Sequence, residues 1–319
     1  VPGSLVVRAV VFEPLEAGEA EAEARGAGLE RWLGGAGGGA SVRLRVLRVA
    51  RVGLLVQRPP EQRVSAAWSP VLHVKKVLGA TLCRYHEGPE GRPWEHRYCT
   101  RIATTRDGYC SLHSRSGKAL YERCAQGVDA ACREADRLLG PREYAVYALD
   151  YGAQRLKIGL TQAWRLLWRL AEQPHVSAAV VARRRSLVEA RGLEKTLGRR
   201  RGATEGAGAR LRERLRLSVS AAERAGAEAR ARRLASLLTG LGLRGRYEAY
   251  SVEPMLGYGW LLSAGVVEEP GELEGRRLRL LDYWGGLVLL EDEESGERMA
   301  APKHVLLHRL LAGDVEAEA

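Results

Sequence analysis

Apolar and charged positions alternate at the start of the chain. Residues 5–12 and 42–49 read as strands, the second setting Arg43, Arg45 and Arg48 against Leu44, Val46 and Val49. Between them, 16–25 is rich in Ala and Glu and 34–39 is nearly all Gly, which predicts a mobile loop. Residues 81–135 hold few aliphatic side chains and are not expected to fold without a metal or a neighbouring core. From 140 the pattern becomes strand–helix. Residues 144–149 and 155–160 predict a hairpin turning near Asp150-Tyr-Gly152. Thr161 is the expected N-cap of a helix to about Glu172, stopped by Pro174. Residues 176–182 predict a third strand and 187–197 the next helix. In 199–245, Leu211, Leu215, Leu234, Leu237, Leu238 and Leu241 recur at helical spacing. Short strands at 246–251, 260–264, 277–282 and 286–291 follow, as in a small barrel, and 314–319 reads as a frayed acidic tail.

Metal-ligand chemistry concentrates in the segment that lacks a core. Cys83-x2-His86, His96-x2-Cys99 and Cys110-x2-His113 are three Cys/His pairs. Cys83, Cys99, Cys110 and His113 make a Cys3His set suited to a closed, structural zinc site, with His86 and His96 as alternative ligands. Cys124 and Cys132 fit a second half-site, a disulfide or the core.

The next stretch carries a different chemistry. Ala145-Val-Tyr147 ends one strand, Lys157-Ile-Gly159-Leu-Thr161 ends the next, and a helix bearing Arg165 and Arg169 follows. Strand alternation puts Tyr147 opposite Val146, and Lys157 opposite Leu156 and Ile158, so the hairpin lets the phenol and the amine approach. Gly159 is expected to leave backbone room for a phosphate near the helix start.

This order resembles the GIY-YIG nuclease superfamily. The resemblance implies a small antiparallel sheet flanked by helices, with Tyr147, Lys157, Arg169 and Glu194 as catalytic residues. Glu194 would bind Mg2+ or Mn2+, with Glu189 second in line, and Lys157, Arg165 and Arg169 would hold the phosphate. Lys157 stands where the superfamily has its second Tyr, Ala145 replaces a Gly, and no Asn occurs in the chain. A prokaryotic domain family without an assigned activity is a nearer resemblance over roughly 65–290; it joins a Cys cluster to the Lys-Ile-Gly-x-Thr form of the motif and includes Arg169-x3-Gln173.

Composition bounds these readings. The formal net charge is +11, carried mostly by Arg, since Lys occurs only at 75, 76, 118, 157, 195 and 303. Arg suits phosphate and base stacking, while Arg bias, the lack of Asn and only two Met also fit thermal adaptation. Arg183–185 and Arg199–201 are further candidate phosphate contacts, or solvated turns. No stretch approaches the ~20 apolar residues of a membrane helix, and the start lacks a signal-peptide layout, so a cytoplasmic location is expected.

The expected architecture is α+β and multi-domain. It comprises a β-rich N-terminal part (1–80), a Cys/His zinc-binding module (81–135), a GIY-YIG-like domain (136–200), an Arg-rich helical segment (201–245), a small β-barrel-like C-terminal domain (246–312) and an acidic tail (313–319). The expected partner is nucleic acid, DNA or structured RNA, with no membrane. Two functions fit: a zinc-stabilised nucleic-acid-binding protein that acts as a GIY-YIG-type endonuclease or only binds, and a non-catalytic assembly protein docking protein partners.

Overall fold

The computed structural model describes residues 3–24, 38–205 and 211–317. The first elements are β1 (Ser4–Glu23), β2 (Ala40–Gln57), β3 (Val64–Trp68), β4 (Val71–Thr81), β5 (His86–Glu87) and β6 (Arg97–Tyr98). Then come α1 (Gly117–Ala125), α2 (Asp129–Leu139), β7 (Tyr144–Asp150), β8 (Leu156–Gln162), α3 (Leu166–Ala171), β9 (Ser177–Arg184) and α4 (Leu187–Gly198). After β10 (Ala203–Thr204) follow α5 (Leu211–Arg224), α6 (Ala227–Gly240) and β11 (Gly245–Glu253). The chain closes with α7 (Trp260–Ser263), β12 (Gly265–Val266), β13 (Arg276–Trp284), β14 (Leu287–Asp292), β15 (Arg298–Pro302), α8 (Lys303–Leu306) and β16 (Arg309–Glu316). The fold is mixed α/β, and among the described residues no helix is long and apolar enough to cross a membrane. The chain forms two compact units, each assembled from separate stretches, and β1 and β2 contribute to both.

One unit comprises Leu15–Arg48 and Gly140–Glu253, with strand order β10-β8-β7-β9-β11-β2-β1. The β7–β8 hairpin is antiparallel and sets Tyr147 opposite Gly159; β11 runs parallel to β2. All seven residues of β7 are buried, as expected of a strand covered on both faces. A buried arginine ties this unit together. Arg230 on α6 donates to the Ala222 and Ala225 carbonyls, to Ser251 Oγ, and to Glu253 at 2.7 Å. Every limb of its guanidinium has an acceptor, which is what burial of a cation requires.

The other unit comprises Val1–Pro14, Val49–Leu139 and Pro254–Ala319, with strand order β1-β16-β4-β13-β14-β15-β12 and β3 paired to β2. The buried Asp282 carboxylate accepts the Met255 and Leu256 amides and the Trp260 indole N–H, winding 254–263 into a turn and a short helix. α1 and α2 pack as a hairpin joined by a Cys124–Cys132 disulfide, which selects one of the three roles open to those cysteines.

Several sequence expectations need correction. The stretch from 16, expected as a loop, continues β1 to Glu23, because Glu16 and Glu19 pair with Arg45 and Arg43 of β2; Arg25 and 34–37 lie outside the described residues. Thr161 is no N-cap. It lies buried in β8 opposite Ala145, and the Ala163 amide donates to the Glu143 carbonyl before α3 begins at Leu166. Residues 260–263 are helical rather than extended, for the reason given by Asp282. The C-terminal strands close no separate barrel: β13 pairs with β4, and β11 belongs to the other unit. Finally, β16 runs through Asp314 to Glu316, anchored by Arg277, with 318–319 outside the described residues.

Removing one partner of a buried ion pair strands the other. Arg230→Met is therefore expected to lose about 3–5 kcal/mol of unfolding free energy in urea titration; unchanged stability would show that Arg230 does not tie α5 and α6 to β11.

Candidate metal centre and polar cluster

The segment after β4 folds back on itself to gather ligands. Leu82 bridges Ile102, the Cys83 amide donates to the Arg101 carbonyl, and the Cys99 amide donates to the Tyr85 carbonyl, so Cys83 and Cys99 come together across the β5–β6 pair. Cys110-x2-His113 supplies the other two ligands from a tight turn, in which the His113 and Ser114 amides donate to the Cys110 carbonyl. Ser116 then N-caps α1.

The ligand atoms of Cys83, Cys99, Cys110 and His113 all lie within 4.8 Å of one another. His113 Nδ1 is 3.6 Å from Cys83 Sγ and 3.4 Å from Cys110 Sγ. A tetrahedral ion with Zn–S near 2.3 Å and Zn–N near 2.05 Å separates S and N by roughly 3.6 Å. The group can hold a metal ion. Its packing offers little else: Cys83, Cys110, Tyr109 and Ala119 form the local core, with Tyr85 and Cys99 against it. Burial pushes the Cys83 thiol of the metal-free group up to about 12, so a cation binding there must displace its proton.

Arg8 was not singled out in the sequence, yet it is built into this centre. From β1 it donates to the Cys83 carbonyl (3.0 Å), the Cys99 carbonyl (2.5 Å) and Gln57 Oε1 (2.6 Å). Burial lowers its pKa to about 10, against the pull of Tyr98, Cys83 and Cys99, so it stays cationic at neutral pH. Three thiolates around a divalent ion would leave one net negative charge, which this guanidinium is placed to offset. The available signal was a lone Arg inside the apolar run 5–12.

His86 and His96 do not join the set. Their rings stack on each other, their Nδ1 atoms are 2.7 Å apart, His86 takes a contact from Lys118 and His96 reaches the Pro89 carbonyl. Tyr85 instead stacks on His113, with centroids 3.9 Å apart, holding that ligand's ring.

In the other unit, Tyr147, Lys157 and Arg169 converge on Gln173. Gln173 Nε2 donates to Tyr147 Oη (2.8 Å) and to the Arg169 carbonyl (3.1 Å), while its Oε1 accepts from Lys157 Nζ (2.5 Å). Gln173 stood in the quoted Arg169-x3-Gln173 spacing without an assigned role. The room at Gly159 is taken by Tyr147, since a Cβ there would fall 2.6 Å from the phenol ring. No phosphate space is left at that glycine.

His175 fixes the bridge from behind. Its Nδ1–H donates to the Gln173 carbonyl and its Nε2 accepts the Val252 amide. Burial lowers its pKa to about 4, so the ring is neutral with both nitrogens engaged.

The charged groups around this bridge differ in access. Tyr147 is 1% exposed and Gln173 is buried, whereas the Arg169 side chain is 39% exposed. Arg169 and Arg165 both pair with Glu172, at 2.9 and 3.4 Å. Burial alone would lower the pKa of Arg169, but Tyr147 and Glu172 hold it above its usual value. Lys157 falls to about 8 through burial first and then the neighbouring Arg169 and Arg214 cations, with Glu194 opposing. Glu194 is buried on α4 within electrostatic reach of Lys157, and its carboxylate is bound by Arg191, which also pairs with Glu205 at 3.0 Å. Burial raises Glu194 above the usual carboxylate range despite Arg191 and Lys157. Glu189 is exposed in the first turn of α4, where its amide donates to the Ser186 cap. Arg183 pairs with Glu143 and Glu248, and Arg200 donates to the Leu241 carbonyl.

Comparison of the chain with protein-family models, curated proteins and solved structures finds no match.

The His175 arrangement has a pH consequence. The unfolded ring binds a proton near 6.5 and the folded one near 4, so stability is full above 6.5 and falls as pH drops towards 4. The loss over that window is ~3 kcal/mol. Chemical denaturation of wild type and His175→Gln across it should show that slope only in the wild type; parallel profiles would contradict the assignment.

Proposed function

We propose that the chain is a zinc-stabilised nucleic-acid-binding protein that grips a backbone phosphate of DNA or structured RNA with Lys157, Arg169 and Arg165. The observation that carries this reading is the meeting of Lys157 and Tyr147 at Gln173, with the Arg169 guanidinium held beside them by Glu172 and Tyr147. Arg165 and Arg169, partly exposed and sharing Glu172, form the outer cationic surface; Lys157 lies deeper, bonded to Gln173 over the buried Tyr147. The net charge of +11 supports an anionic partner.

Binding is favoured over cleavage by two features. The Glu194 carboxylate that would take Mg2+ or Mn2+ is engaged by Arg191, and the Tyr147 phenol is buried against Gln173. The endonuclease reading requires both to be released, and metal-dependent cleavage abolished by Glu194→Ala would establish it in place of binding alone. A second reading, an assembly protein docking protein partners, draws on Trp94, Ile102 and Leu112, large apolar side chains exposed on the metal module.

For the metal, three thiolates and an imidazole in a closed tetrahedral set favour zinc over hard cations. Zinc here would be structural, organising a segment whose local core is largely its own ligands. One zinc per chain is expected by metal analysis. Cys110→Ser should lose it, and chelation should abolish the folded near-ultraviolet signal of Tyr85 and Tyr109. Full zinc retention by Cys110→Ser would exclude that thiol as a necessary ligand.

Phosphate binding is tested by fluorescence anisotropy with labelled duplex DNA and hairpin RNA. The logarithm of affinity should fall linearly with the logarithm of salt, and Lys157→Met should weaken binding by about tenfold. Lys157 carries its charge below about 8, so affinity should be retained below that pH and fall above it, with the midpoint displaced upward by bound anion. Lys157→Arg should flatten the profile. Salt-independent binding, or equal affinity of Lys157→Met and wild type, would refute the reading.

A further inference from the structure

We propose that a cavity of about 210 Å3 beside the metal module is a binding site for a phosphate group, free or carried on a nucleic-acid chain. Its walls come from the end of β4, the 106–108 turn, the start of α8 and residues 307–309. All lie in the unit that contains 49–139 and 254–319, so this site shares no residue with the Lys157 cluster and does not rest on that cluster's function.

Charge is the first argument. Arg84, Arg106, Lys303 and Arg309 line the cavity against a single carboxylate, Asp107. That carboxylate is already taken by Arg123, at 2.7 Å. Four like charges gathered in one concavity repel each other and focus a positive potential that an oxyanion relieves. Arg84 is also paired, with Glu122 at 3.4 Å, so Arg106 and Arg309 carry the donors left for phosphate oxygens.

Unmet hydrogen bonding is the second. Arg309 Nε is buried and has no partner among the described residues, where a lost acceptor is costly and calls for an explanation. Arg106 is exposed, so solvent serves its donors, and it makes no side-chain hydrogen bond or ion pair among the described residues, which leaves it free to turn to a ligand. Among the described residues, Arg309 Nε is thus a buried donor without an acceptor and Arg106 a hydrated one.

Backbone placement is the third. His308 adopts φ +65°, a left-handed conformation uncommon for a residue with a Cβ and often kept where function demands it. Its amide donates to the Val7 carbonyl and its own carbonyl accepts the Leu82 amide, so the conformation is held from both sides. Arg8 can only donate, so His308 Nδ1 accepts from it and Nε2 carries the ring proton as a further donor. Arg84 meanwhile lies against Gly108, where a Cβ would fall 2.5 Å from its Cδ, so that glycine gives the guanidinium its place at the wall.

The test uses the full-length, zinc-loaded chain in a Lys157→Met background, which disables the other candidate phosphate site. Isothermal titration with inorganic phosphate should show one ion per chain, weakened at least about tenfold by Arg106→Gln and by Arg309→Gln. Zinc content and thermal unfolding report whether each variant is folded. Should Arg309→Gln fail that control, Arg106→Gln decides alone, because its side chain has no protein partner to lose. A short single-stranded oligonucleotide that displaces the phosphate, and binds more weakly to Arg106→Gln, identifies a nucleic-acid chain as the carrier. Phosphate binding without such displacement identifies a small phosphate ligand. No phosphate binding, or equal affinity in wild-type and Arg106→Gln pockets, overturns the proposal.

Discussion

One neutral amide joins the groups on which the functional reading depends. Gln173 accepts from Lys157 and donates to Tyr147, so a cation and a phenol on adjacent strands are locked into one geometry without a second charge. A carboxylate at this place would neutralise Lys157; an apolar side chain would leave a buried phenol unsatisfied. The amide also donates to the Arg169 carbonyl one turn earlier, and the Gln173 backbone is held by neutral His175, whose other nitrogen reaches β11. Burial of that bridge and the flanking arginines together bring Lys157 down to about 8, so its charge is retained at neutral pH yet remains responsive.

The metal centre solves a different problem with the same economy of core. Residues 81–135 lack the aliphatic surface to fold by burial, and the ligands double as packing. Arg8 links the centre to β1: it fastens the carbonyls of Cys83 and Cys99 and would balance the charge that three thiolates leave around a divalent ion. Tyr85 stacking on His113 completes the set. Ligand choice thus follows from which side chains have other work. His86 and His96 are occupied by each other and by Lys118, and stay outside.

Local patterns were legible in the sequence, and long-range ones were not. The β7–β8 hairpin, β9 and α4 follow from alternation and helical spacing, and the Cys3His set follows from ligand chemistry. Thr161 misled because a Thr before a helical run has the same look in a strand that extends one pair further; the deciding contact, Ala163 to Glu143, is set by hairpin register. The stretch from 16 to 23 has no apolar residue larger than Ala and reads as loop, but its strand is supported by ion pairs to Arg43 and Arg45, which only pairing reveals. Gly159 was assigned to a ligand when its space belongs to Tyr147. Arg8 escaped, and Gln173 was noted without a role, because their side chains act on partners from other elements, Arg8 on residues 57, 83, 99 and 308 and Gln173 on 147 and 157.

With only six lysines in the chain, the side-chain ammonium resonance of Lys157 can be assigned by single substitutions and followed directly by nitrogen-15 NMR. Adding a duplex oligonucleotide should shift that resonance in step with saturation and slow its proton exchange, as a phosphate closes over the amine. A Lys157 signal that stays fixed while the oligonucleotide saturates the protein would place the nucleic acid elsewhere and contradict the account.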